Sequence, residues 1–132
     1  MRIRKVIKMK VFRCEKCGKT LLTLVDSGCI PHCCGQEMTV LAANTTDGAL
    51  EKHVPFVQQA GSSFAVQVGE VEHPMMEQHY IQWVALETNQ GVHVKNLKPG
   101  EKPAAHFLLP EGEKALAAYE YCNLHGFWKK EL

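Results

Sequence analysis

Phe64-Ala-Val-Gln-Val68 alternates apolar and polar residues without a break, the period-two pattern of a strand with one face in a core. Val92-His-Val-Lys95 repeats the pattern. Residues 80–86 are apolar on both faces, as a strand covered on both sides would be. Lys98-Pro-Gly100 through Pro103 is a strong turn signal, and residues 104–109 read as a further strand. Several short strands at this spacing predict a β-sandwich. One segment argues otherwise: Glu113-Lys-Ala-Leu-Ala-Ala-Tyr-Glu120 consists of good helix formers and reads as a helix on propensity alone.

Upstream the character changes. Five of the six cysteines precede residue 35, in a stretch of about 40 residues too short to bury a self-sufficient core. A metal staple is therefore expected there. Residues 11–41 read as a small metal knuckle: Val11-Phe-Arg, the Cys14-x-x-Cys17-Gly18 turn, a strand over 20–25, then Cys33-Cys34-Gly35. Adjacent Cys33 and Cys34 cannot both face one ion from a regular strand, so the backbone must distort, with Gly35 helping. Four thiolates in a tetrahedron suit zinc or iron, and from spacing alone zinc is the commoner occupant. Cys29 has no ligand role and reads as a small buried residue or a free thiol. Asn44-Thr-Thr-Asp-Gly48 is a polar, turn-prone linker, which divides the chain into residues 1–43 and 44–132.

Composition bounds the rest. The net charge of +1 over 132 residues gives no global field toward nucleic acid or membrane. Basic residues crowd Met1 to Lys10, but without an apolar stretch this reads as a solvated first strand or arm and not as a signal peptide. No apolar run approaches the ~20 residues that span a bilayer. Cysteines in a cytoplasmic chain are more often metal ligands than disulfides, and a reducing compartment is expected.

Beyond the linker, the informative residues are His53, His73 and His79, closed by Cys122-Asn-Leu-His125. Imidazole suits iron, copper, nickel and zinc, and a thiolate adds a soft donor that favours a redox metal. Five protein donors around an ion that takes six leave one open position, as catalysis requires. The proline after His73 and the Val54-Pro55 step after His53 fix extended or turn backbone where loops must aim imidazoles inward. His32, His93 and His106 lie outside these motifs and read as surface or hydrogen-bonded residues.

Glu51-Lys-His-Val-Pro55, His73-Pro-Met75, His79-Tyr-Ile81 and Tyr121-Cys-Asn-Leu-His-Gly126 with Trp128, joined to Cys14-x-x-Cys17 and Cys33-Cys34, resemble the successive signatures of desulfoferrodoxin, the two-iron superoxide reductase. The resemblance runs from about residue 11 to the end. It implies a desulforedoxin-like Fe(Cys)4 knuckle on Cys14, Cys17, Cys33 and Cys34, in preference to zinc. It also implies an immunoglobulin-like sandwich, with a strand leading into Cys122 where propensity suggests helix. At the second centre it implies iron held by His53, His73, His79, His125 and an axial Cys122 thiolate, with amides of Leu124 and His125 tuning the sulfur and Asn123 as a further contributor. Lys52 is implied as the cation that attracts superoxide, and Glu51 as the carboxylate that closes the sixth position after oxidation. The expected reaction is one-electron reduction of superoxide to hydrogen peroxide without dioxygen release. A rubredoxin-like donor and a homodimer are the implied partners. The rival readings are a non-catalytic iron electron carrier and a superoxide dismutase, against which the electron-donating thiolate argues.

Overall fold

Five antiparallel ladders organise the larger part of the chain in the computed structural model, which describes residues 9–46, 48 and 50–132. The basic segment read from Met1 to Lys10 lies largely outside those residues. Among the described residues the chain divides into two compact units, one ending at Ala42 and the other running from Ala43 to Leu132.

In the first unit, β1 (Val11–Arg13) pairs with β2 (Thr20–Leu22) and with β5 (Thr39–Val40). A second ribbon joins β3 (His32–Cys33) to β4 (Gln36–Glu37). The core is minimal: Phe12, Cys14 and Met38, with Cys33 packed against them. So small a core leaves apolar side chains outside, Leu24 being 89% and Val25 86% exposed. The strand expected over 20–25 therefore stops at Leu22, where pairing with Val11 ends.

The second unit is a sandwich of seven strands, the immunoglobulin-like architecture expected, preceded by a single helical turn α1 (Leu50–His53). One sheet orders β10 (Ala104–Leu108), β7 (Ser63–Val68) and β6 (Pro55–Ala60); the other orders β12 (Gly126–Glu131), β11 (Ala115–Cys122), β8 (Ile81–Thr88) and β9 (Gly91–Asn96). Alternation decides which side chains meet between them. Phe64, Val66 and Val68 of β7, with Ala105 and Phe107 of β10, pack against Ile81, Val84 and Leu86 of β8 and Ala118 and Cys122 of β11. Each such aliphatic side chain taken fully from water contributes roughly 1.5–3 kcal/mol.

The segment expected to be helical on propensity is strand from Ala115 onward, and none of it is helix. β11 is paired along both edges, with β12 and β8, and both of its faces are buried from Ala117 to Cys122. Two ladders of tertiary pairing outweigh alanine's helix propensity. On the outer face Tyr119 stacks on Phe127 at 5.3 Å and donates its hydroxyl to Glu87 Oε1 at 2.8 Å. The register also sets where the site lies. Pro55 opposite Val68, and Cys122 opposite both Ile81 and Gly126, bring the starts of β6, β8 and β12 and the ends of β7 and β11 to one end of the sandwich. An irregularity between Tyr121 and Cys122 interrupts the β11–β8 ladder there, as bulges commonly do beside a site.

Candidate metal centres

Three segments converge at that end. The turn α1 carries His53, which is 2% exposed; the connection from β7 to β8 carries His73 and His79; the turn from β11 to β12 carries His125, and Cys122 ends β11 with no exposed surface. The donor atoms of His53, His73, Cys122 and His125 all lie within 4.8 Å of one another. His53 Nε2 is 3.0 Å from His125 Nδ1, and Cys122 Sγ is 3.5 Å from His73 Nε2 and 3.9 Å from His125 Nδ1. His79 stands beside this set, its ring edge-on to His73 at 4.7 Å and to His125 at 4.9 Å.

The outer nitrogens of His53 and His73 are already engaged, which turns their inner nitrogens toward the cluster. The Pro74 carbonyl can only accept, so His73 Nδ1, 2.7 Å away, carries the proton and leaves the Nε2 lone pair facing Cys122. His53 Nδ1 faces the Glu120 carboxyl at 3.2 Å, and its Nε2 faces His125. Two nitrogens each about 2.1 Å from one ion and at right angles lie roughly 3 Å apart, which matches the His53–His125 separation. His79 Nε2 is buried with no hydrogen-bond partner among the described residues, as an imidazole awaiting an ion would be. The donor set and the orphaned nitrogen both fit a transition ion of the iron type.

Electrostatics keep these donors available. Burial, then the neighbouring His73, His125 and His79 imidazoles, holds His53 down at about 3. Burial also lowers His73, to about 4, against the opposing Pro74 hydrogen bond. His79 is lowered by burial, by His125 and by Lys52. Neutral imidazoles bind metal and protonated ones do not. Burial raises the Cys122 thiol, while backbone amides of His125 and Leu124 oppose that by favouring the thiolate; His125 N lies 3.4 Å from Sγ. Lys52 is exposed and close enough that its ammonium disfavours protonation of His53, His73 and His79. Glu51 is exposed on the same turn and borders a surface recess of about 540 Å³ with Leu50, Glu70 and Lys130.

In the first unit Cys14, Cys17, Cys33 and Cys34 form the other cluster, again within 4.8 Å. Sulfurs of Cys17 and Cys33 are 3.6 Å apart, and those of Cys33 and Cys34 3.9 Å. Four thiolates about 2.3 Å from a central ion make a tetrahedron with edges of roughly 3.8 Å. The distortion needed to use adjacent cysteines is present as left-handed backbone at Cys34 (φ 54°) and Gly35 (φ 78°). The Cys17 amide lowers Cys14 to about 6, and hydrogen bonds shared with Cys14 and Cys17 push Cys33 up to about 12. Cys29 remains outside the cluster as an exposed free thiol, which excludes the buried alternative.

Several contacts that support the site were not legible beforehand, although Trp128 itself stands in the sequence motif. Glu120 is fully buried, with its carboxyl pushed well above the usual range by that burial and one oxygen unpartnered among the described residues. It shares a face with Cys122 two residues on, a spacing that becomes meaningful only once the segment is read as strand. Trp128 stacks on His53 at 4.9 Å, and its indole donates to the His125 carbonyl at 3.0 Å. Thr46 donates to the same carbonyl. Asn44 exchanges hydrogen bonds with Lys129, so the expected linker is in part an added rung on β12. His93 is hydrogen-bonded to Glu113 at 2.9 Å, and His106 is exposed, so neither joins a cluster.

With this geometry in hand, known proteins give the lineage. The family model described as desulfoferrodoxin matches residues 45–131. A desulfoferrodoxin of Syntrophotalea carbinolica is 44% identical over 94% of this chain and 97% of its own length. The crystal structure of a superoxide reductase from Treponema pallidum is similar with a TM-score of 0.80 at 34% identity, covering 94% of this chain and 98% of that one. A one-iron superoxide reductase from Giardia intestinalis is similar with a TM-score of 0.54 at 36% identity, covering 62% of this chain and 99% of that one. A family match across the whole sandwich and a relative of this identity over nearly the full length place the chain in the desulfoferrodoxin family.

Proposed function

We propose that the chain is a superoxide reductase with two iron centres. The observation that carries this reading is the buried convergence of His53, His73, His125 and Cys122 donors with Lys52 alongside. The chemistry that iron supplies when bound is one-electron reduction: superoxide, one electron and two protons give hydrogen peroxide, and no dioxygen forms.

The chain's own residues account for the rest. His53, His73, His79, His125 and Cys122 are the proposed donors at the catalytic centre. Cys14, Cys17, Cys33 and Cys34 are the proposed donors at an accessory centre, in a domain spanning residues 1–43 that precedes the catalytic domain, 44–132. The Lys52 ammonium draws the superoxide anion toward the site and organises water for its protonation. The Glu51 carboxylate is the proposed donor of the oxidised state. Amides at Leu124 and His125 favour the Cys122 thiolate against the effect of burial, and a thiolate on iron is a donor that disfavours oxidation of superoxide and so sets a reductase apart from a dismutase.

The reading includes a cytoplasmic location, supported by cysteines gathered as candidate metal ligands. No helix among the described residues is long and apolar enough to cross a membrane. It also includes a homodimer, for which the exposed Leu24 and Val25 offer apolar surface, and a rubredoxin-like electron donor.

The test is rapid mixing of the ferrous protein with superoxide, with peroxide, dioxygen and oxidised iron all quantified. One peroxide and one oxidised iron per superoxide, with no dioxygen, is the expected result. Catalytic loss of superoxide with dioxygen evolved would make the protein a dismutase, and no fast reaction would leave an electron carrier.

A further inference from the structure

Asn123 lies between two residues of the thiolate motif, yet its side chain does not serve the sulfur. It makes three hydrogen bonds to the chain on either side of His79. Its Oδ1 accepts from Tyr80 N at 2.9 Å, its Nδ2 donates to Gln78 O at 3.1 Å, and its own backbone N–H donates to Tyr80 O at 3.2 Å. A carboxamide offers one acceptor and one donor side by side, the same complement that a neighbouring strand would present to a backbone.

What this bracing decides follows from how else His79 is held. A tight turn closes over it, with Met76 N donating to His79 O at 2.9 Å and His79 N donating to Met76 O at 3.0 Å. That turn fixes the local shape and leaves open where the shape stands relative to Cys122 and His125. His79 Nε2 is buried and has no hydrogen-bond partner among the described residues. His53 and His73, by contrast, each have the second nitrogen tethered, to Glu120 and to Pro74. His79 is also the one proposed imidazole outside the 4.8 Å donor cluster.

We propose that Asn123 is the positioning residue that ties His79 to the Cys122–His125 turn and so governs whether the fourth imidazole reaches the ion. The proposal rests on the reading of His79 as a metal donor.

A double-mutant cycle tests it, read by Co(II) affinity and not by turnover. The full-length chain carries Cys14→Ser and Cys17→Ser throughout, which removes two competing thiolates of the other cluster. Into it are placed Asn123→Ala, His79→Ala and both together. Outer partners of metal ligands typically contribute ten- to a hundredfold in metal affinity, so Asn123→Ala is expected to weaken Co(II) binding by roughly tenfold or more. With His79 already removed, the same change is expected to cost no more than about twofold, the scatter of independent sites. Asn123→Asp keeps the acceptor for Tyr80 N–H and loses the donor to Gln78 O; an intermediate loss is expected, and this variant carries the cycle if the alanine does not fold. An equal loss with and without His79 would overturn the proposal, because Asn123 would then act on the turn as a whole. So would undiminished affinity in Asn123→Ala. An unchanged affinity in His79→Ala alone would sink the donor reading itself, a result separable from the other two.

Discussion

Replacing Gly69 by alanine probes how the turn proposed to face superoxide is held, although Gly69 is not among the proposed donors. A Cβ built on Gly69 would lie 2.5 Å from Glu51 O, Lys52 C and Lys52 Cα, all backbone atoms. Ordinary carbon contacts begin at about 3.5 Å, so the turn bearing Glu51 and Lys52 must retreat by about 1 Å. The neighbouring bond from Val71 N to Glu51 O, now 2.9 Å, would stretch with it. Gly69 also sits at φ +78°, where an L-residue costs roughly 1–2 kcal/mol, and overpacking typically adds about 1–3 kcal/mol. Against a usual stability of about 5–15 kcal/mol the variant should still fold. A misplacement of about 1 Å lowers rates by up to a hundredfold, so the second-order rate constant for superoxide should fall by roughly ten- to a hundredfold, with a weakened dependence on ionic strength. Pulse radiolysis at several salt concentrations measures both, and thermal unfolding measures the stability cost. A wild-type rate with wild-type salt dependence would refute the argument that Gly69 sets the position of Lys52.

Three further outcomes follow from particular residues. Lys52→Ile should slow the reaction by roughly tenfold at low ionic strength and flatten its salt dependence, because screening acts on the attraction that the ammonium supplies; an unchanged low-salt rate would remove Lys52 from substrate capture. Cys14→Ser should abolish metal binding at the cysteine cluster and leave the superoxide rate constant within about twofold, measured by rapid mixing with metal analysis of the same sample; loss of the reaction would make that centre essential. Glu113 is held below its ordinary 4.5 by hydrogen bonds from Thr88 first and then His93. A carboxylate depressed in this way contributes stability that is present above the unfolded value and lost as pH falls through the folded one. Glu113→Gln should therefore melt lower than wild type at neutral pH and converge with it in acid, and a constant gap across the titration would show that the carboxylate charge is irrelevant.

How much was legible depends on whether the information is local. The alternation at 64–68 and the doubly apolar run before Leu86 specify strands because a period of two is visible in one segment. The cysteine pairs specify a cluster because thiolates that close in sequence cannot avoid one another. The segment ending at Glu120 was misleading on propensity alone, since what makes it a strand is pairing to β12 and β8, whose partners lie outside it in sequence. The same reason hid the supports of the site. Glu120 reaches His53 from 67 positions away, Asn123 reaches Gln78 from 45, and Thr46 reaches His125 from 79. Donors announce themselves by residue type, because few side chains bind a transition ion. Their supports do not, because a glutamate, an asparagine or a threonine has many other uses, and only the register of the strands selects this one. The Asn44–Gly48 stretch shows the consequence: polar and turn-prone, it reads as a linker, yet Asn44 pairs with Lys129, Thr46 holds the His125 carbonyl, and a Cβ at Gly48 would press on the His53 ring at 3.0 Å. The chain entering the catalytic domain is thus part of the wall of its metal site, so substitutions that lengthen or stiffen this stretch should disturb His53 and His125 before they disturb the sandwich.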